Sequence, residues 1–272
     1  MTPSLLSARL RRLGAGCLVA TCAVLSAACD PKPATTAPLT AADSLVLAGR
    51  LSATYVTRTG AVQKGLSVQT VATGGRPFGL YVPSTYDSTR VWPVTVLLHG
   101  YGVSGEEMAL DFQDYAEAAG EVVLAPNSFG TTWDLIQNSQ FGADVQYMDG
   151  MLTWAFQHIS VDPTRLSISG FSDGATYALW IGLKNGDLFT RVAAMTPCTA
   201  LPQIRTGMPI LFISHGKDDT VLPIDACSRV TVPALQADGY SVQYVEYPSA
   251  QGNGHFVTPD VLTEAMAWLA QQ

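Results

Sequence analysis

From residue 94 onward the chain repeats one pattern: a short apolar run, then a segment with helical spacing. Apolar runs stand at VTVLLHG (94–100), EVVLAP (121–126), RLSISG (165–170), RVAAMT (191–196) and PILFISH (209–215), and SVQYVEY (241–247) closes the series. Two earlier runs, GLSVQTV (65–71) and FGLYVP (78–83), bring the expected strands to eight. A strand without a polar face has to be covered on both sides, which is the situation of a parallel strand between helices. Helical patterns at 105–119, 144–159, 173–185, 226–238 and 259–271 supply the cover. The first two strands are joined too closely for a crossover helix, so they pair antiparallel. The alternation that follows implies right-handed crossovers and a mostly parallel sheet with helices on both faces. The expected fold class is α/β. With 272 residues, 47% of them hydrophobic, the chain can bury one large core.

The first 28 residues read differently. SARLRR supplies a positive stretch and LGAGCLVATCAVLSAAC an apolar one ending in small residues, the pattern of a secretory signal. The apolar stretch is short for a membrane span, and no later segment stays apolar for 18 residues. LSAAC resembles the lipobox of bacterial lipoproteins, which implies that Cys29 is the lipidated first residue of the mature chain. Plain secretion with cleavage near Ala28 is the alternative. DPKPATTAPLTAAD follows as a Pro/Thr/Ala tether without periodicity. The expected organisation is a signal peptide over 1–28, a tether over 29–44 and one folded domain over 45–272. Removing Arg9, Arg11, Arg12 and no acid takes the formal charge from −7 to −10. So acidic a surface argues against nucleic acid and against electrostatic adhesion to anionic lipid; membrane attachment has to be covalent. Of the five cysteines only Cys198 and Cys227 remain in the folded part, in no metal or redox spacing. Both lie on one edge of the expected sheet, so in an oxidising compartment they can form a disulfide.

Ligands of such a sheet bind beyond the carboxyl ends of its strands, and three informative stretches fall there. Gly-Phe-Ser-Asp-Gly at 170–174 joins a strand to a helix, the context in which G-x-S-x-G lifts a nucleophilic serine on a tight turn. The plainer reading makes Ser172 a helix cap. LLHGYGVSG at 97–105 ends the third strand with a loop that can offer a backbone N–H at Tyr101, paired with the one at Asp173, to a developing oxyanion. His99 reads as ordering that loop. ISHGKDDTVLP (213–223) carries acidic residues, and GNGHFVTPD (252–260) carries His255 after the eighth strand. A serine nucleophile needs a base, and the base needs a carboxylate to hold its tautomer. The order Ser, Asp, His is met only by His255 as base; His158 and His215 have ordinary structural readings.

On these residues the chain resembles the α/β-hydrolases, more narrowly the lidless phospholipase/carboxylesterase group and its secreted esterase relatives. The resemblance covers roughly 65–272 and rests on LLHGYG, GFSDG, HGKDDTVLP and the late GH. It implies that Asp219, four residues after His215 and two before Val221, is the acid of the triad, ahead of Asp218 and Asp225. It implies a serine carboxylesterase with Ser172 as nucleophile, His255 as base, an acyl-enzyme, a small-molecule ester substrate and no cofactor or metal. Two departures from close relatives stand at Asp173, where Gln is frequent, and in HGYG, which is not HGGG. Both donors there are backbone groups, so neither departure removes one. About a dozen residues separate the sixth and seventh strands, too few for a cap domain, so soluble or short-chain esters are expected. The insertion 126–144 offers Phe129 and Trp133 as walls of an acyl pocket, unless they pack beneath the loop. A feruloyl- or polymer-type esterase and an acyltransferase share the fold. A non-catalytic binding module does too, though the three triad residue types speak against it. A dehalogenase needs Asp where Ser172 stands.

Overall fold

A computed structural model of the chain describes residues 39–72, 75–248 and 252–271. Residues Leu39–Gln272 form one compact unit, and the leader with Cys29 lies outside the described residues. All eight expected strands form: β1 (Gly65–Thr70), β2 (Pro77–Val82), β3 (Trp92–Leu98), β4 (Val122–Pro126), β5 (Val161–Phe171), β6 (Arg191–Met195), β7 (Ile210–Gly216) and β8 (Val242–Tyr247). They make one sheet in the order β1-β2-β4-β3-β5-β6-β7-β8. The strand β2 runs antiparallel to both β1 and β4, and every other neighbouring pair is parallel. The sheet is therefore mixed but mostly parallel, as the apolar runs require. β3 and β4 are buried along their whole length, which matches their lack of a polar face.

The five expected helices appear as α2 (Gly105–Ala119), α4 (Ala143–His158), α5 (Asp173–Lys184), α6 (Ser228–Ala237) and α7 (Pro259–Leu269). Local chemistry fixes the ends of α2. Ser104 and Glu107 form a reciprocal capping box, and Gly120 closes the helix at φ 66°. On one face of the sheet α2 and α7 bury Met108, Phe112, Met266 and Leu269 against Leu97, Val123 and Phe212. On the other, α4, α5 and α6 bury Met148, Leu152, Leu179 and Leu235 against Leu80, Val96 and Ile168. Two short helices were not expected: α1 (Ala41–Leu47) and α3 (Asp134–Asn138). The helix α1 takes in the last four residues read as tether, because Thr40 and Asp43 cap it reciprocally. Pro/Thr/Ala composition hid that box.

Several polar groups are buried against the apolar trend, Glu121 among them. Glu121, just before β4, is fully enclosed and accepts the hydroxyl of Thr95 from β3 through Oε1, while its Oε2 has no partner among the described residues. Burial pushes its carboxyl up to about 8, against the opposing pull of the Thr95 hydrogen bond and of Arg165 and Arg191. A folded-state value above the usual 4.5 means that the folded protein holds a proton the unfolded chain has released. Stability from this group is complete at low pH and declines as pH rises between those two values. Glu121→Gln keeps an acceptor for Thr95 and cannot ionise. Its melting temperature should equal that of the wild type near pH 4 and exceed it by pH 8, by at least about 1 kcal/mol of unfolding free energy. A difference that stays flat in thermal melts across this range contradicts the assignment.

Candidate active site

Ser172 sits between β5 and α5 at φ 56° and ψ −119°, a region that side chains rarely occupy. The two glycines of the motif explain how the turn survives. A Cβ at Gly174 would stand 2.3 Å from the carbonyl oxygen of Leu98 and 2.5 Å from that of His99, and one at Gly170 would meet Gly174 at 2.4 Å. Strand β3, strand β5 and the first turn of α5 thus touch backbone to backbone. Although Ser172 occupies the N-cap position of α5, its side chain caps nothing. The hydroxyl points instead to His255, with Oγ 2.8 Å from Nε2.

His255 Nδ1 lies 2.8 Å from Oδ2 of Asp219. A carboxylate can only accept, so Nδ1 carries the hydrogen and Nε2 is left to accept from Ser172. Oδ1 of Asp219 accepts the amides of Val221 (2.8 Å) and Leu222 (2.9 Å), which fixes the carboxylate plane. All three residues are buried. The loops that carry His255 and Asp219 are locked to each other: Thr220 donates its amide to the carbonyl of Asn253 at 2.8 Å, and Asn253 Oδ1 accepts the amide of His255 at 3.2 Å. Gly254 stands between them at φ 79°, where an added Cβ would lie 2.1 Å from the carbonyl oxygen of Asp218. Asp218 therefore contributes backbone to this contact, and Asp225 pairs with Arg229 on the surface.

His215, read from sequence as structural, has a more particular place. Its Nε2 donates to the carbonyl of Leu222 at 2.8 Å and lies 3.4 Å from Oδ2 of Asp219, while Nδ1 accepts the hydroxyl of Ser228 at 2.7 Å. Burial pushes its imidazole down, so it stays neutral and supports the acid loop from below. His99 orders its own loop, as expected: Nδ1 donates to the carbonyl of Gly100 and Nε2 accepts the amide of Ser128. His158 is tied to the carbonyl of Trp154. Among the described residues, no acceptor takes the amide of Tyr101 or of Asp173. The Asp173 carboxylate accepts the hydroxyl of Thr132 at 2.7 Å, anchoring the insertion to α5.

The insertion does not wall the site with the aromatic residues singled out above. Trp133 is completely buried, donates Nε1 to the carbonyl of His99 at 2.9 Å and stacks on Tyr177. An indole with its N–H and one face already used belongs to the core. Phe129 is 46% exposed and lies under the guanidinium of Arg76. The cavity beside the Ser172 turn, of about 530 Å³, is lined instead by Leu135 and Ile136 of α3, Thr176 and Trp180 of α5, and Leu222. Only the hydrophobic period of a five-residue helix could have signalled Leu135 and Ile136, too short a pattern to read.

Cys198 and Cys227 are joined by a disulfide, with Cα atoms 4.5 Å apart. Cys198 lies on the cavity wall, and Cys227 precedes α6, whose first residue, Ser228, holds His215.

The family model described as "Putative esterase" matches residues 72–208. The chain belongs to this esterase family. Probable feruloyl esterase C of Aspergillus niger is 24% identical over 188 residues, 66% of this chain and 68% of the relative. The Aspergillus terreus counterpart is 25% identical over 68% and 70%. Among solved structures, a thermostable esterase superposes with TM-score 0.59 at 21% identity, covering 75% of this esterase and 61% of that chain. A ferulic acid esterase from Anaeromyces mucronatus gives 0.57 at 17%, covering 81% and 97%. A phospholipase/carboxylesterase from Dyadobacter fermentans gives 0.54 at 17%, covering 79% and 100%. These likenesses fit the α/β-hydrolase fold.

Proposed function

We propose that this esterase hydrolyses carboxylic esters through Ser172, His255 and Asp219 by way of an acyl-enzyme. The observation that carries the reading is the unbroken relay of two 2.8 Å hydrogen bonds behind a strained serine turn. Ser172 Oγ attacks the ester carbonyl carbon as its proton passes to His255 Nε2. The carbonyl electron pair moves to oxygen, where the Tyr101 and Asp173 amides receive the negative charge. When the C=O bond re-forms, the C–O bond to the alcohol breaks and His255 returns the proton to the leaving oxygen. Water then repeats the two steps on the acyl-serine and releases the acid. Asp219 holds the imidazole tautomer and stabilises the imidazolium. Ser172→Ala should lower kcat for a p-nitrophenyl ester at least about 10³-fold and abolish fluorophosphonate labelling of the peptide containing residue 172, with the melting temperature near wild type. Asp219→Asn should cost less, and the two losses should not add. More than a few per cent of residual activity in Ser172→Ala overturns the assignment.

The connection 196–209, between β6 and β7, contains no helix, which leaves the cleft uncapped on that side. Soluble esters of modest acyl size are the substrates this favours. An exposed alkyl chain gains nothing, and each covered CH₂ gains only about 0.8 kcal/mol. The cavity beside Ser172 favours a second reading within that class: its apolar lining and volume suit an aromatic acyl group, in line with relatives described as feruloyl esterases. Activity should rise smoothly with tributyrin through its solubility limit, and kcat/KM for methyl ferulate should exceed that for a methyl alkanoate. A sharp jump at the solubility limit contradicts the uncapped cleft. A preference for the alkanoate removes the aromatic reading and leaves the short-chain one.

For the leader we propose export and lipid anchoring at Cys29, supported by LSAAC and the tether that follows it. Among the described residues no helix is long and apolar enough to cross a membrane. Two or three acyl chains anchor stably where one does not. The wild type should sediment with membranes of its host and Cys29→Ser should not; wild type recovered in the soluble fraction means ordinary secretion.

A further inference from the structure

Two apolar features adjoin the triad. One is the cavity lined by α3, α5 and Leu222. The other is the pair Phe171 and Phe256, which line no part of that cavity and lie nearly parallel, with ring centroids 6.0 Å apart and an interplanar angle of 19°. Both flank the His255 ring, Phe171 at 5.1 Å and Phe256 at 6.3 Å between centroids. Phe171 is partly buried, its ring against Gly100 of the loop after β3. Phe256 is 62% exposed, an unusual state for a phenylalanine next in sequence to a residue buried as deeply as His255. Stacking on Phe171 holds it there.

The direction of proton transfer decides which half of a substrate meets this pair. His255 Nε2 must come within about 3 Å of the leaving oxygen to protonate it. The carbonyl oxygen is held on the Tyr101 and Asp173 amides, and Asp173 also lines the cavity. With that oxygen fixed, the acyl substituent runs toward the cavity, and the substituent on the leaving oxygen runs out past His255 over Phe171 and Phe256. We propose that Phe171 and Phe256 form a stacking platform for the alcohol half of the ester, and that the enzyme selects alcohols presenting a flat ring face, aromatic or sugar. This rests on the triad reading given above. Both kinds of ring offer a face of C–H or π character that an aromatic ring attracts, an interaction that corresponds to roughly three- to tenfold in binding. By microscopic reversibility the same platform receives an alcohol that attacks the acyl-enzyme in place of water.

The test compares butyrate esters of methanol, benzyl alcohol and the primary hydroxyl of methyl arabinofuranoside, so that the acyl-enzyme is common to all three. In the wild type, kcat/KM should be higher for both ring-bearing esters than for methyl butyrate. Phe256→Ala should reduce that preference roughly three- to tenfold, through KM, and Phe256→Leu, which keeps apolar bulk without a flat face, should do the same. Phe256→Trp should retain it. The partitioning of the butyryl-enzyme toward added benzyl alcohol over methanol should fall in parallel. If only the benzyl ester responds, the platform serves aromatic rings; if only the arabinoside responds, sugars; either outcome supports the inference. A ring-to-methyl ratio unchanged in both Phe256→Ala and Phe256→Leu overturns it, as does an effect that follows the acyl group instead of the alcohol. Methyl butyrate hydrolysis that persists in Ser172→Ala overturns the triad reading itself, a result separate from any ratio.

Discussion

The geometry of the site depends on one contact, that of Gly174 against the carbonyl groups of Leu98 and His99. Because no Cβ intervenes, the first turn of α5 lies directly on the end of β3. That contact sets the start of α5, with Asp173, directly beside the loop that follows β3 and carries Tyr101. It also leaves the serine in a backbone conformation that costs on the order of 1–3 kcal/mol. Hydrogen bonds on either side hold it: the Ser172 amide donates to Met195 in β6, and the Ser172 carbonyl accepts from Thr176 in α5, both at 3.0 Å. The strain is useful because it removes the hydroxyl from its ordinary task of capping the helix.

Asp219 and His255 are brought together by the same device, a second close approach of a glycine to backbone. Gly254 approaches the backbone of Asp218 and Asp219 as closely as Gly174 approaches β3, so two loops of separate strands act as one rigid piece. His215 sits beneath that piece as a neutral spacer, tied to Ser228 at the start of α6. The disulfide at Cys227 fixes the same turn to the cavity wall at Cys198. Thr176, one helical turn from the serine, accepts the amide of Cys198 at 3.0 Å and so returns the connection to α5. Ser172, the loop of Asp219 and the cavity wall thus belong to one hydrogen-bonded and covalent circuit.

Much of this architecture is legible in the sequence because it rests on strong, local signals. Apolar runs such as VTVLLHG have one stable setting, a strand covered on both faces, which β3 and β4 take, while the alternating GLSVQTV forms the half-exposed edge strand β1. The capping box at Ser104 and Glu107 fixes α2 at the boundaries its pattern suggests. Ser172 and His255 are nominated because the chemistry demands their types in that chain order, and Asp219 through a family resemblance, since three acids compete there; the fold brings these three within hydrogen-bond distance. Strand order escaped, because neighbours in the sheet are set by packing of whole layers. The sequence left Trp133 open between pocket wall and core for a related reason: an aromatic residue in a loop reads the same whether its indole N–H is bound by a core carbonyl or free at a pocket rim. The stacking of Phe256 on Phe171 joins residues 85 positions apart in sequence, and no periodicity reports such a meeting.

The insertion 126–144 shows how the burial of a single indole decides between a lid and a wall. A lid needs a segment that can leave its seat without exposing unsatisfied groups. Here Trp133 would surrender the carbonyl of His99 and its stacking on Tyr177, and Thr132 its bond to Asp173. The amide of Gly102, in the loop after β3, would lose the carbonyl of Thr131 at 2.9 Å. The base of the insertion is closed as well. Asp144 accepts the amides of Phe129 and Asp134 at 2.7 Å each, and Asp134 accepts the amide of Asp144 at 3.0 Å and the hydroxyl of Tyr177 at 2.9 Å. Burial and the neighbouring Asp134 push the Asp144 carboxyl up to about 6, while the two backbone amides it accepts oppose that rise. A segment secured through six residues to the loop after β3, to α5 and to itself is part of the frame, and the selectivity of the cleft then resides in side chains that line it.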